Sequence, residues 1–155
     1  MILQDNMIKF FNYQEQVKRL SLALRNEFYV EAIAIEYAMI EDRIHSILTH
    51  SGFSIVDKNN KKYSINKNIN KLKSNKYFTE KEMRKRLPLD LLDEIKEWKD
   101  KRNIIIHDLL KQEFQPDEFK ELAIQGNELR KQIDNKSKLI KKYNEKLKAK
   151  GELKQ

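Results

Sequence analysis

"FYVEAIAIEYAMIEDRIHSILTH", residues 28–50, decides the fold class. Phe28, Ala32, Ile35, Met39, Ile40, Ile44, Ile47 and Leu48 recur at steps of three and four, the period of an α-helix. Apolar side chains cover more than half of its circumference, so this helix needs neighbours on several sides and belongs at the centre of a bundle. Gly52, just beyond it, suits the left-handed turn that ends a helix.

Upstream, Met7, Phe10, Phe11, Val17, Leu20 and Leu24 predict an amphipathic helix over 7–25. It is either continuous with the second helix or separated from it by a turn near Asn26. Downstream, 53–77 is rich in Asn and Lys and reads as a mobile loop with a short helix near Ile65–Leu72. Thr79 and Glu82 make a capping-box pattern for a short helix over 80–87, closed by Pro88. Asp90 caps the next helix, which runs to about Lys111 and buries Leu91, Leu92, Ile95 and Trp98. Pro116 and Asp117 start the last helix. Phe119, Leu122, Gly126, Leu129, Ile133, Lys136, Ile140, Tyr143 and Leu147 follow as a heptad-like seam, for packing within the domain or against another copy. The expectation is an all-α antiparallel helical bundle with a long C-terminal helix. Residues 1–135 form the domain, and 136–155 a basic extension inclined to fray.

Composition narrows the function classes. Three Gly and two Pro in 155 residues leave little turn punctuation for a many-stranded sheet. The absence of Cys excludes disulfides, thiolate metal sites and a cysteine nucleophile. With three His and no repeated His-x-x-Glu pairing, no metal or other cofactor is expected. No apolar run is long enough to span a membrane. The opening "MILQDNMIKFF" lacks a basic start before an apolar stretch, so no signal peptide is expected and the cytoplasm is the expected location.

The formal charge of +8 is uneven: residues 57–76 carry seven Lys against one Asp, and 136–155 eight Lys against two Glu. Such patches concentrate polyanions, RNA among them. The same lysines also read as a solvated surface from AT-rich coding. Lys61, Lys62 and Lys101 are the expected RNA contacts. Tyr63, Tyr77 and Phe78 lie among the lysines, either to stack bases or to pin the loop to the bundle.

The candidate chemistry lies in "WKDKRNIIIHDLL", residues 98–110. On an ideal helix Asn103 and His107 are about 40° apart, while Arg102 is about 140° from His107. Ile104, Ile105 and Ile106 take the other faces, so the segment is expected to be buried except where Asn103 and His107 emerge. Imidazole moves protons near neutral pH, and guanidinium matches phosphate oxygens. Together they supply what metal-independent RNA cleavage needs, with Asn103 orienting the imidazole or the phosphate. One His does not easily serve both proton transfers, and a two-fold partner would bring a second.

Arg-Asn-x-x-x-His late in a helical chain of this size resembles the HEPN superfamily, whose signature is Arg, four to six residues, then His, often with Asn after Arg. The resemblance implies a dimerising helical bundle with two motifs across a shared cleft. It also implies metal-independent ribonuclease activity on single-stranded RNA in toxin–antitoxin, abortive-infection or CRISPR defence settings, with a neutralising or defence-system partner, or else a non-catalytic RNA- or nucleotide-binding or protein-interaction module on the same fold. The helix order is similar over about residues 7–135, while the motif spans only residues 102–107.

A second pair, Arg43 and His50, also fits the spacing, and helical geometry favours it because the two are seven apart. Arg102 and His107 rank first by resemblance, since Asn follows Arg102 and the family motif sits in a later helix. Glu36, Glu41, Asp42, Arg43 and His45 interrupt the second helix. An acid from this cluster either orients His107 and receives Arg102, or pairs within its own helix. Asp108 either supports the site or pairs with Lys101 or Lys111.

Overall fold

The computed structural model describes residues 2–111, 113 and 115–151. The helices are α1 (Ile2–Arg25), α2 (Tyr29–His50), α3 (Ile65–Ser74), α4 (Lys76–Thr79), α5 (Lys81–Arg86), α6 (Leu89–His107) and α7 (Pro116–Ala149). No strand occurs among the described residues, only an isolated bridge between Val56 and Lys62. The chain is an all-α bundle with a long C-terminal helix.

Helix α2 is the hub. It packs mainly on α7 and also meets α1, α3 and α6, while α6 packs on α7. Ala32, Ile33, Ile40, Ile44, Ile47 and Leu48 of α2 are buried against Leu92, Ile95 and Trp98 of α6 and Ala123, Leu129, Ile133 and Ile140 of α7 in one core. Each such aliphatic side chain stabilises the fold by roughly 1.5–3 kcal/mol. Trp98 is fully buried, and its indole N–H donates to the Leu122 carbonyl at 2.8 Å. Burying the ring is thereby compatible with its one polar group.

A turn at Asn26–Phe28 separates α1 from α2, with Glu27 at φ +61°. The segment after α2 is more ordered than its composition suggests. Asp57 Oδ1 accepts from the amides of Asn59 and Lys61, Ser64 caps α3, and Phe53 packs with Tyr77 and Phe78 at centroid distances of 5.9 and 5.2 Å. Tyr77 and Phe78 are therefore pins rather than open stacking faces. Tyr63 already lies under Lys67, 3.8 Å from its ring centroid.

Three boundaries differ from expectation. Helix α5 has Glu80 at its N-cap without a side-chain cap, and the Thr79 hydroxyl donates back to the Lys76 carbonyl, so no capping box forms. Pro88, not Asp90, precedes the first residue of α6. That helix stops at His107, and a turn through 108–111 folds Leu109 back against the core. Helix α7 continues without a break through residue 136 to Ala149, with Ile140 and Asn144 buried.

Asn144 ties three segments together. Its Nδ2 donates to the His50 carbonyl at 3.1 Å and to Ser51 Oγ at 3.0 Å, and its Oδ1 accepts from the Tyr77 hydroxyl. The last carbonyl of α2 is thus capped by a side chain of α7, while the amides of Ser51, Gly52 and Phe53 satisfy those of Ile47, Leu48 and Thr49.

Candidate functional site

Arg102, Asn103 and His107 occupy the last turn and a half of α6. The imidazole of His107 is 72% exposed. Its Nδ1 lies 3.2 Å from Asp108 Oδ1 and 3.4 Å from Lys111 Nζ. The Asp108 carboxylate only accepts and the Lys111 ammonium only donates, so the two contacts call for opposite tautomers of the ring and one nitrogen does not make both at once.

Arg102 turns the other way. Its guanidinium carbon is 4.4 Å from the centroid of Tyr37, on α2, and its Nη1 donates to Asn103 Oδ1 at 3.0 Å. Nε is buried without a hydrogen-bond partner. Burial and the negative charge of Glu41 push the Tyr37 phenol above its usual pKa, against the opposing pull of Arg102. Tyr37 and Glu41 thus form the α2 side of the Arg102 seat. Asn103 is fixed to Arg102 rather than to the imidazole.

The segment is not buried on nearly all sides. Ile104 is 63% exposed, Ile105 and Ile106 are half-buried, and Leu110 just beyond is 96% exposed. The last turn of α6 has one face on the bundle, where Ile105 and Ile106 pack on the core and Arg102 meets Tyr37, and one face in solvent. Beside it lies a cleft of about 290 Å³ between α6 and the start of α7, lined by Lys101, Ile105, Asp108, Leu109 and Phe119.

The supporting residues divide. Asp108 meets His107, and Glu41 lies near the Tyr37–Arg102 stack. Glu36 reaches neither. It is fully buried, with both carboxylate oxygens unpaired, where α7 presents Gly126 beside Trp98. Burial pushes its carboxyl up to about 9 despite the charge of Arg130, so it is neutral at pH 7. The carboxylate that a site would need is a protonated core group.

Arg43 also faces elsewhere, towards α1 and α7. It contacts Asp42 through Nε and Nη2, lies 3.6 Å from Asp134 on α7, and stacks at 4.8 Å on Tyr13. Arg43 and His50 line one groove between α1, α2 and α7. The two Arg/His pairs of the sequence therefore sit in separate places, one on the last turns of α6 and one in a groove.

Lys61 and Lys62 are exposed in the α2–α3 loop, and Lys101 is exposed on α6. Among the described residues no group of three or more His, Asp or Glu is placed to hold a metal ion. Among the described residues no helix is long and apolar enough to cross a membrane.

Sequence reasoning missed Tyr37, although "EYAMIEDR" carries it four residues before Glu41. It also missed Asp134, whose charge interrupts α7 one residue after the apolar Ile133. No family model matches the chain, and no curated protein or solved structure is significantly similar to it.

Proposed function

We propose that this protein is a HEPN-like, metal-independent endoribonuclease that cleaves single-stranded RNA as a homodimer. The observation that carries the reading is the exposed His107 imidazole, with its Nδ1 beside Asp108, one turn and a half beyond Arg102. In the reaction one His107 takes the 2′-hydroxyl proton as that oxygen attacks phosphorus. The partner copy's His107 gives a proton to the departing 5′-oxygen. Atoms balance in a 2′,3′-cyclic phosphate and a 5′-hydroxyl. Arg102 and Asn103 face the charge that builds on the phosphoryl oxygens.

Ile104 and Leu110 support the homodimer, because two large exposed apolar side chains flank His107 and a second copy there would cover them. Lys61, Lys62 and Lys101 would gather the RNA backbone. The reading implies a cytoplasmic protein in a defence or toxin–antitoxin setting, with a neutralising partner.

The test is cleavage of single-stranded RNA in EDTA. Wild type cuts, and His107→Ala and Arg102→Ala each lower the rate by about 100-fold or more. Equal cleavage by both variants refutes the assignment.

One observation favours a second reading. The Arg102 guanidinium is stacked on Tyr37 with Nε buried, which suits a clamp that binds phosphate without turnover. RNA binding that is lost in Arg102→Ala, with no cleavage by wild type, selects a non-catalytic RNA-binding module.

A further inference from the structure

The groove between α1, α2 and α7 has a volume of about 440 Å³, within the range of small-ligand sites. Each helix contributes cations to it: Lys9 from α1, Arg43 from α2, and Lys138 and Lys141 from α7. The only carboxylate in its lining is Asp134. With Asp42 behind Lys9 and Arg43 counted beside Asp134, four positive charges face two negative ones; the positive excess that remains in a partly enclosed space is relieved when an anion enters.

Helical spacing aims these groups together. Arg43 and His50 are two turns apart on α2, and Lys138 and Lys141 are three residues apart on α7. The ion pairs do not neutralise the groove. Asp42 serves both Lys9 and Arg43, while Asp134 serves both Arg43 and Lys138. Lys141 has no ion-pair partner among the described residues. Arg43 is held by Asp42, Asp134 and the Tyr13 ring, so it is already positioned before any ligand arrives. His50 records the same field. Burial and the charge of Lys141, joined by Lys148 and Lys9 against Glu145, hold its imidazole below its ordinary pKa. The carbonyl of His50, at the negative end of α2, is capped by Asn144 and is thus less able to repel an anion.

We propose that this groove is a phosphate-monoester site, separate from the Arg102–His107 region, in which Lys138, Lys141 and Arg43 hold the dianion and His50 adds a hydrogen bond. A dianion matches the excess of positive charge better than a single carboxylate or a backbone phosphodiester. The monoester has two sources, a free small phosphate or the phosphorylated end of an oligonucleotide.

Calorimetric titration of the full chain at low salt tests this with three probes: inorganic phosphate, a 5′-phosphorylated trinucleotide and its 5′-hydroxyl counterpart. The expected result is saturable binding of at least one phosphorylated probe, stronger than that of the 5′-hydroxyl trinucleotide. Binding of inorganic phosphate assigns the small-molecule source, and preference for the phosphorylated trinucleotide assigns the nucleic-acid end. Lys138→Gln combined with Lys141→Gln changes only exposed side chains, and should weaken binding by at least about tenfold. The His50 imidazole resonances should shift on binding in wild type and in Arg102→Ala alike. The proposal falls if neither phosphorylated probe binds, if the 5′-hydroxyl trinucleotide binds equally well, or if the double variant binds as wild type does.

Discussion

Replacing Glu36 with Gln should abolish a pH dependence of stability that the wild-type chain shows through neutrality. The folded carboxyl is pushed up to about 9 by burial, while in the unfolded chain it returns to its model value of 4.5. Between those values the folded state holds one proton that the unfolded state has released. Unfolding therefore becomes easier as pH rises, by about 1.4 kcal/mol per pH unit for one proton. From pH 6 to pH 8 the wild type should lose roughly 2.7 kcal/mol from this group alone, a large part of the 5–15 kcal/mol typical of a domain. The amide of Gln has nearly the same shape and does not titrate, so its stability should lack this slope. His50 acts in the opposite sense, because its depressed folded pKa favours the native state as pH rises towards about 6.5. Both proteins share that contribution, and it cancels in their difference. Urea unfolding at pH 6, 7 and 8, followed by the fluorescence of the single buried Trp98, measures the effect. Parallel pH profiles for wild type and variant would refute the reasoning.

Gly126→Ala places a Cβ that overlaps Glu36 Oε2 and stands 2.6 and 2.8 Å from two ring atoms of Trp98. The gain in helix propensity of about 1 kcal/mol is outweighed by overpacking, for a net loss of about 1–2 kcal/mol in thermal or urea unfolding. Asn144→Ala leaves the His50 carbonyl, Ser51 Oγ and the Tyr77 hydroxyl without this partner, and should cost about 2–3 kcal/mol in the same assay. Tyr37→Leu removes the ring beneath Arg102 and, under the proposed ribonuclease reading, should lower RNA cleavage about tenfold, while Tyr37→Phe keeps the ring and should cleave as wild type does. Equal rates for the Leu and Phe variants would count against Tyr37 as a positioning residue.

Helix α2 was legible because Ile40, Ile44, Ile47 and Leu48 repeat a pattern that only a central helix can satisfy. The seam of α7 was legible at first and then drifted. Steps of three and four in strict alternation average 3.5 residues, and a straight helix turns once per 3.6, so the register slips by about 20° every heptad. By the third heptad the buried positions are Ser137 and Asn144, not Lys136 and Tyr143. Glu36 was misread for a different reason. Its position on α2 follows from periodicity, but the niche that neutralises it is made by Gly126 and Trp98, ninety and sixty-two residues away. The three isoleucines at 104–106 suggested burial on nearly all sides, yet only Ile105 and Ile106 reach the core and Ile104 faces solvent, because three successive residues span about 200° of a helix and its neighbours cover only one side. Asn103 and His107 were legible as outward-facing, and the turn of Arg102 towards α2 follows from its angular distance from them.

The helices are anchored unequally. Among the described residues α1 buries only Leu20 and Ala23 fully, both in its second half, whereas α7 buries ten residues along its length. Its first half leaves Met7, Ile8, Phe10 and Phe11 facing solvent. Lifting that half breaks few apolar contacts, so amide exchange should be fastest there and slowest in α2 and α7. Lys9 and Tyr13 lie on this half and meet α2 through Asp42 and Arg43, so the α1 wall of the groove is held by polar contacts more than by buried apolar area.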